Sequence, residues 1–442
     1  LKQRVQEYPP DKVAEITWIA KDKIIEASRF FAKSKPSAIK WGVATEMSKE
    51  CVATAHAQIA LWSITGNLDV PGGHLITNHP SESSQSNIWF RKTLSKDQQQ
   101  KRIGREKYPF LSRLGRVATG EIAEQILTGT PYPIKAAWIQ GTNPIAGNAA
   151  EPRKVYEALR KLDFIAVVDL FMTPTAMGLA DIVLPAATYA ERDGIGVPRP
   201  PVMRSFFGAT NKAIEPVEEC KSDLEIVFEI GRRMNPEAWP WNNIDEVLDE
   251  MAKPFGLTFN ELREKNAVCS EFEYRKFEKG LLRADKQAGF NTPTGKVELY
   301  STEFKKCGLD PLPYFEEPPE SPVSTPELAR DYPFVLTTGA RSWAYFLTEQ
   351  RQVPMLRQIN PDPITELNPE TAQKLGIKDG DWIFIESKYG KCKQKAKLTY
   401  GIHPGVVSSQ QGWWYPEKAG AESDLFGVWE SNINLLLPGG WT

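Results

Sequence analysis

Two short apolar runs in the middle of the chain end at residues that can hold a ligand. The first run is Ala136 to Ile139, and the residues that follow it suit a tight turn beside a bound group: Gly141, Thr142, Asn143 and Pro144. The second run is Phe164 to Val168, and it is followed by Asp169. Glycine lets the backbone approach a ligand because it has no Cβ, and the N–H groups of such a turn suit a phosphate. A carboxylate accepts two hydrogen bonds side by side, so Asp169 can take two donors from one base or sugar edge.

The spacing of these runs predicts the element that positions both groups. A third apolar run, Ile182 to Leu184, ends at Pro185, and a helical pattern lies between the first two runs. Such alternation is typical of a parallel sheet buried on both faces, in which ligands bind beyond the carboxyl ends of the strands. Two alternatives remain open. The sequence GTNP can be a plain strand-to-loop turn, and Asp169 can cap a helical segment at Thr173 to Met177.

Several segments of the chain resemble molybdopterin oxidoreductases of the dimethyl sulfoxide reductase type, in the order that they have in that family. These segments are WIQGTNP (138–144), VVDLFMTPTAMGLADIVLPAATYAERDG (167–194), Trp41 to Gly73, NTPTGKVELYS (291–301), FVLTTGARS (334–342), GWWYPE (412–417) and SNINLLLP (431–438). The match covers nearly the whole chain, so the chain is identified as a member of this family.

The resemblance implies a cofactor, namely two molybdopterin guanine dinucleotides with molybdenum or tungsten. The residues that it places at the cofactor are Gly141, Thr142, Asn143, Pro144, Asp169, Thr173, Thr175, Asp181, Thr338, Gly339, Arg341, Gln411, Trp414, Asn432 and Asn434. Asp169 is expected to read the guanine, while Asp181 is either a pocket residue or a cap and Trp414 is either a cofactor contact or a core residue. Asn432 and Asn434 are expected to face the cofactor, because their amides would otherwise lack partners beside an apolar run. No catalytic residue and no metal ligand is assigned.

The resemblance also implies an α/β fold with two Rossmann-like parallel-sheet units followed by a six-stranded β-barrel of the double-psi type. The predicted divisions are an α/β domain at 1–130 (the remainder of the family's third domain), an α/β dinucleotide-binding domain with a helix-rich extension at 131–308, a proline-rich linker in extended form at 309–333, and a molybdopterin dinucleotide-binding barrel at 334–442. A chain of 442 residues suits several domains.

Hydrophobic periodicity predicts the individual elements of these domains. The predicted helices are Val52 to Ile64, Leu224 to Met234, Ile244 to Met251 and Pro369 to Leu375. The predicted strands outside the central sheet are Ala38 to Val43, Phe334 to Thr338, Trp382 to Ser387, Lys391 to Leu398 and Val406 to Ser409.

Composition and cysteine spacing exclude several classes of protein. The net charge of −2 does not favour nucleic-acid binding, and no run approaches the ~18 apolar residues of a membrane helix. The five cysteines are widely spaced, which argues against an iron–sulfur cluster, a zinc site or a disulfide framework and predicts free, mostly buried thiols. Family members usually carry a [4Fe–4S] centre and a metal ligand nearer their amino terminus, so we expect those features in a missing N-terminal part and expect this chain alone to be inactive.

The resemblance implies an enzyme for two-electron transfer of an oxygen atom or hydroxyl group, with a small-molecule substrate and an iron–sulfur electron-transfer subunit as partners. Two alternatives stay open: a non-redox hydratase or transhydroxylase of the same family, and a cofactor-binding module without catalysis of its own. The chain carries no targeting signal, and both an exported and a cytoplasmic location remain open.

Overall fold

A computed structural model describes residues 1–76, 95–110, 119–148, 150–196, 206–269, 272–338 and 342–439. The chain forms two compact units, each assembled from three segments. The first unit comprises Leu1–Thr93, Arg192–Ile214 and Phe228–Glu316, and the second comprises Leu94–Glu191, Glu215–Val227 and Glu317–Thr442. Every contact of the candidate site described below lies within the second unit.

The described strands are β1 Ala136–Gln140, β2 Phe164–Asp169, β3 Ile182–Pro185, β4 Gly194–Gly196, β5 Phe206–Thr210, β6 Ala267–Cys269, β7 Val335–Thr337, β8 Ile364–Leu367, β9 Trp382–Ser387, β10 Gly390–Leu398 and β11 Val406–Ser409. The α-helices are Lys2–Gln6, Pro10–Thr17, Lys21–Lys33, Val43–Glu46, Cys51–Ile64, Lys96–Gln100, Thr119–Thr128, Pro152–Leu159, Pro174–Leu179, Asp223–Met234, Ile244–Ala252, Phe259–Lys265, Thr302–Lys306, Leu328–Asp331, Pro354–Ile359, Pro369–Leu375 and Val428–Ser431. A π-helical turn spans Pro144–Asn148, and 3₁₀ turns span Lys253–Phe255, Leu425–Gly427 and Ile433–Leu436.

The predicted parallel sheet is confirmed in the second unit. Strand β2 lies between β1 and β3 and pairs in parallel with both, with Gln140 opposite Val168 and Asp169 opposite Pro185. Ile165, Val167 and Val168 are buried, because helices cover a sheet of this kind on both faces. Their core includes Val155 and Ala158 of the helix that connects β1 to β2.

The C-terminal sheet has five strands in the described residues, in the order β7-β11-β8-β10-β9. It is mixed, since β10 runs parallel to β8 and antiparallel to β9. Strand Ile364–Leu367 was missing from the sequence prediction, because four residues between a proline-rich turn and a helix give little periodicity. The finding is therefore a mixed sheet, and the six-stranded double-psi barrel is not confirmed.

The predicted strand Ala38 to Val43 is wrong. Side chains accept from backbone N–H groups in this segment and just before it, where a neighbouring strand would otherwise accept. Ile39 N–H donates to His74 Nε2 at 2.7 Å, and the preceding Ser37 N–H donates to Asn67 Oδ1 at 2.9 Å. The sheet described in the first unit is the antiparallel one of β4, β5 and β6. Within the described ranges the chain therefore has one parallel sheet, where the sequence predicted two such units.

The proline-rich segment 309–333 is not extended throughout. It contains turns and the helix Leu328–Asp331. Ser321 N–H donates to the carbonyl of Pro318 at 3.3 Å, and the Ser324 hydroxyl donates to the same carbonyl at 2.8 Å. Serine hydroxyls stabilise turns by bonding nearby backbone, which explains why proline content alone did not predict this conformation.

The four cysteines whose side chains are described are free, as predicted. Cys392 is buried, whereas Cys51, Cys220 and Cys307 are half-buried, so the expectation of mostly buried thiols is wrong for these four. In the same ranges, no helix combines the length and apolar character needed to cross a membrane.

Candidate cofactor site at the carboxyl edge of the parallel sheet

The turn after β1 leaves open space where a ligand can approach its backbone. Gly141 has φ +57°, and its N–H donates to the carbonyl of Val168 at 3.0 Å. A Cβ added to Gly141 would meet no atom within 4 Å. The chain then enters the π-helical turn Pro144–Asn148, whose first bonds run to the carbonyl of Asn143 from Ala146 N–H at 3.2 Å and Gly147 N–H at 2.9 Å.

The side chain of Asn143 offers a buried donor without a partner. The Thr175 hydroxyl donates to Asn143 Oδ1 at 2.6 Å, which fixes the orientation of the amide. Asn143 is 4% exposed, and its Nδ2 has no hydrogen-bond partner in the part of the chain that the structure describes. Because an unpaired buried donor costs about 1–3 kcal/mol, an acceptor on a ligand would relieve the site. A phosphate or carbonyl oxygen of a dinucleotide supplies such an acceptor.

Asp169 ends β2 beside this turn. Its Oδ1 accepts from Leu170 N–H at 2.7 Å, so the carboxylate keeps acceptor capacity for a ligand. Burial raises the pKa of this carboxyl. The backbone N–H groups of Leu170 and Phe171 partly oppose the rise, and the Glu349 and Asp223 carboxylates add to it. The ionised group is therefore held at a cost that donors on a ligand would offset, as the N–H groups of guanine can.

Thr173 and Asp181 have structural roles that are visible in the hydrogen bonds. The Thr173 hydroxyl caps the helix Pro174–Leu179 by accepting from Ala176 N–H at 3.3 Å, so Asp169 is not the cap of that segment. Asp181 Oδ2 accepts from Ile165 N–H at 2.7 Å, at the amino end of β2. Asp181 thus lies at the amino end of the strands, whereas Asp169 lies at their carboxyl end, and the structure does not bring the two side chains together.

The C-terminal asparagines bind the π-helical turn. Asn432 is fully buried and donates from Nδ2 to the carbonyl of Ile145 at 3.0 Å. Asn434 donates from Nδ2 to the carbonyl of Gly147 at 3.3 Å. The structure brings both residues to the predicted turn, but their amides have partners in the protein, contrary to the reasoning that made them ligand contacts.

The remaining predicted residues of the C-terminal region differ in burial, and two of them are not described. Trp414 is a fully buried core residue packed with Ile145, and its indole N–H donates to the carbonyl of Thr348 at 2.9 Å. Gln411 is half-buried and Thr338 is half-buried just beyond β7. The predicted positions Gly339 and Arg341 lie outside the described residues.

Sequence reasoning left Arg351 and Thr348 out of the predicted site. Arg351 is 3% exposed, lies 4.8 Å from the Tyr345 ring and 4.7 Å from the Trp413 ring, and donates to the carbonyls of Leu347 at 2.7 Å and Gln411 at 3.2 Å. Burial lowers the pKa of its guanidinium to about 9. The methyl of Thr348 occupies the space where a side chain at Gly147 would stand. The contacts of Arg351 with Trp413 and Gln411, and that of Thr348 with Gly147, join positions far apart in sequence, so no local pattern signals them.

The geometry does not supply a metal site. In the parts of the chain that the structure describes, no three His, Cys, Asp or Glu side chains come together as metal ligands. The second unit offers two polar groups at the carboxyl ends of its parallel strands. They are the unpartnered amide donor of Asn143 and the Asp169 carboxylate, which can accept further hydrogen bonds. That donor set fits the phosphate and base of a nucleotide.

Comparison with known proteins identifies the class. The family model described as molybdopterin oxidoreductase matches residues 22–233, and the one described as molydopterin dinucleotide binding domain matches residues 334–439. The resemblance inferred from the sequence is thereby confirmed, and the chain belongs to the molybdopterin oxidoreductase family.

Particular relatives extend this assignment along the chain. Acetylene hydratase of Syntrophotalea acetylenica is 33% identical over 99% of this chain and 62% of that protein. Dopamine dehydroxylase of Eggerthella lenta is 30% identical over 99% of this chain and 50% of that protein. The solved structure of acetylene hydratase from Pelobacter acetylenicus superposes with a TM-score of 0.91 at 32% identity, covering all of this chain and 63% of that one. The chain therefore spans about half to three-fifths of the length of these relatives.

Proposed function

We propose that the second unit holds a guanine dinucleotide of a bis-molybdopterin cofactor at the carboxyl edge of the parallel sheet. The observation that carries this proposal is the pairing of Gln140 with Val168, which makes the turn at 141–144 and Asp169 leave the sheet side by side. One of these offers an unpartnered donor, at Asn143, and the other offers a carboxylate with free acceptor capacity.

Each residue has a stated task in this proposal. Gly141 lets the phosphates approach the backbone, and Asn143 Nδ2 donates to an oxygen of the dinucleotide. Asp169 accepts the two neighbouring N–H donors of guanine. Thr175 keeps the Asn143 amide in the orientation that leaves Nδ2 available. We further assign the loop after Thr338, with Gly339 and Arg341, to the second dinucleotide, on the family resemblance alone.

The bound cofactor, with molybdenum or tungsten, would supply two-electron chemistry, and the chain would bind it, orient it and exclude water. The reaction that we propose for the whole protein is transfer of an oxygen atom or a hydroxyl group to or from a small molecule. An iron–sulfur electron-transfer partner would serve that reaction.

Non-redox hydration is a second candidate, favoured by a specific observation. The relative with 33% identity over 99% of this chain is a hydratase, and so is the solved structure that superposes with a TM-score of 0.91. Hydration adds water without net electron transfer, so this candidate needs no external electron acceptor. The dehydroxylase at 30% identity keeps the redox candidate in place.

One preparation tests both the identity of the cofactor and the type of reaction. The protein is purified without oxygen from a host that makes the cofactor, and guanine, molybdenum and tungsten are measured per chain. Guanine at two equivalents per metal supports the cofactor assignment, and absence of guanine overturns it. Acetaldehyde formed from acetylene without a redox dye supports hydration, whereas substrate-dependent reduction or oxidation of a viologen dye supports redox transfer.

A further inference from the structure

The two asparagines near the carboxyl terminus satisfy backbone groups that the π-helical turn leaves unpaired. A helical turn ends with carbonyls that lack intrahelical partners, and these groups are costly to bury unless something donates to them. Asn432 donates to the carbonyl of Ile145 at 3.0 Å and Asn434 donates to the carbonyl of Gly147 at 3.3 Å. Each contact joins residues that are 287 positions apart in the sequence.

The orientation of the Asn432 amide is fixed by a second bond. Its Oδ1 accepts from Asn434 N–H at 3.1 Å, so Nδ2 points at the carbonyl of Ile145. Asn432 is fully buried and Asn434 is 6% exposed. Both ends of the Asn432 amide are therefore bonded inside the protein, and the side chain is fully buried, which argues against direct contact with a cofactor.

A steric contact adds to these two hydrogen bonds in holding the turn Pro144–Asn148. The Thr348 methyl stands where a Cβ on Gly147 would be, and it also lies near the position of a Cβ on Gly412. Arg351 fixes the segment that carries Thr348, because its guanidinium donates to the carbonyl of Leu347 at 2.7 Å. The turn is thus enclosed by residues of the C-terminal region, and Asn143 with its unpartnered donor lies at the start of that turn.

We propose that Asn432 and Asn434 form a clamp that positions the turn 141–148 for the dinucleotide without touching the dinucleotide. This inference rests on the proposed function for the identity of the ligand, but the clamp itself consists of contacts within the chain. The two asparagines are positioning residues, and they act through the backbone of Ile145 and Gly147. Without the hydrogen bonds from Asn432 and Asn434, the turn would no longer hold the Asn143 donor in a fixed position.

The chain offers a matched control for the test. Asn432→Asp keeps the oxygen that accepts from Asn434 N–H and replaces the donor to Ile145 with a second oxygen. Asn368 has the same bonding pattern, with Oδ1 accepting from Glu370 N–H at 3.0 Å and Nδ2 donating to the carbonyl of Ile402 at 2.8 Å. Asn368 is 6% exposed, and Asn368→Asp therefore makes the same chemical change at a comparable burial without altering the turn.

Two measurements on the 442-residue chain separate the clamp from its ligand. The first is amide hydrogen exchange of peptides covering 141–148 without any ligand, and the second is the Kd for guanosine diphosphate. Asn432→Asp is expected to speed exchange in these peptides about tenfold and to weaken nucleotide binding about tenfold, as the loss of one hydrogen bond implies. Asn368→Asp is expected to leave both unchanged at a similar melting temperature.

Each outcome decides a different claim. Faster exchange in 141–148 with no nucleotide binding by the wild-type chain supports the clamp and overturns the proposed function. Nucleotide binding by the wild-type chain, with exchange and Kd unchanged in Asn432→Asp, overturns the clamp. If Asn432→Asp does not fold, Asn434→Asp replaces it, and equal effects of Asn434→Asp and Asn368→Asp on exchange in 141–148 would also overturn the clamp.

Discussion

Asp169→Asn separates a binding role from a structural role, because the two roles predict opposite changes in stability. The substitution keeps the volume of the side chain and the oxygen that accepts from Leu170 N–H. It removes the charge and turns the second oxygen into a donor facing the donors of guanine. A charge-assisted hydrogen bond contributes about 1.5–3 kcal/mol, so the lost bond and the new donor–donor contact should weaken dinucleotide binding roughly a hundredfold.

The direction of the stability change follows from the pKa of Asp169. Burial raises that pKa by more than the backbone N–H groups of Leu170 and Phe171 lower it, and Glu349 and Asp223 add to the rise. An acid whose pKa is raised by folding contributes stability below its unfolded pKa and loses that contribution as the pH rises through the folded pKa. Ionisation of this carboxylate therefore destabilises the fold when no ligand supplies donors. Asp169→Asn should raise the melting temperature at pH 7, and the gain should shrink towards pH 4.

The assay pairs guanine content of the purified protein with melting curves of the cofactor-free chain at both pH values. Asp181→Asn is the control, since Asp181 stands at the other edge of the same sheet and accepts from Ile165 N–H. The control should keep wild-type guanine content. An Asp169→Asn protein that retains its guanine and melts earlier than wild type at pH 7 would refute the reasoning, because Asp169 would then be a structural acceptor.

Three further predictions concern other buried groups. Lys276 and Asp69 form a fully buried ion pair, with 2.6 Å between Nζ and Oδ1, so Lys276→Met should lower the free energy of unfolding in urea by about 3–5 kcal/mol; a loss within error of zero contradicts this. Gly147→Ala should reduce guanine content, because the added Cβ clashes with the Thr348 methyl, and unchanged content would count against the described packing. Burial raises the pKa of the Cys392 thiol to about 12, so mass spectrometry should find it alkylated at pH 8 more slowly than the half-buried cysteines, and equal rates would be inconsistent with its burial.

The parallel sheet could be predicted from the sequence because its strands are buried on both faces. Such strands appear as unbroken apolar runs, and β2 was found with its end at Asp169. The helix Cys51–Ile64 was predicted within one residue because Gly66 follows it closely, and glycine stops helices for a local reason. An element that is determined by its own residues and their immediate neighbours can therefore be predicted from the sequence.

The errors arise where backbone groups find partners far away. The segment Ala38 to Val43 looked like a strand, yet Ile39 N–H bonds His74, and Ser37 N–H just before the segment bonds Asn67. No local sequence pattern indicates such partners. The candidate site shows the same limit. The sequence placed Asn432 and Asn434 at the cofactor, but it could not tell that their amides bond the carbonyls of Ile145 and Gly147, because hydrogen-bond partners are decided by tertiary packing.

The distinction between contact and positioning changes how cofactor loss is interpreted in this protein. Asp169 has acceptor capacity left over, and burial raises its pKa, so the carboxylate has a deficit of donors that a ligand could supply. Asn432 has no such deficit, since both ends of its amide are bonded within the protein. Substituting either residue can empty the site, but only the first should stabilise the cofactor-free chain, while the second should loosen the turn that carries Asn143. Stability in the absence of the cofactor therefore identifies which residues bind it, and cofactor content alone does not.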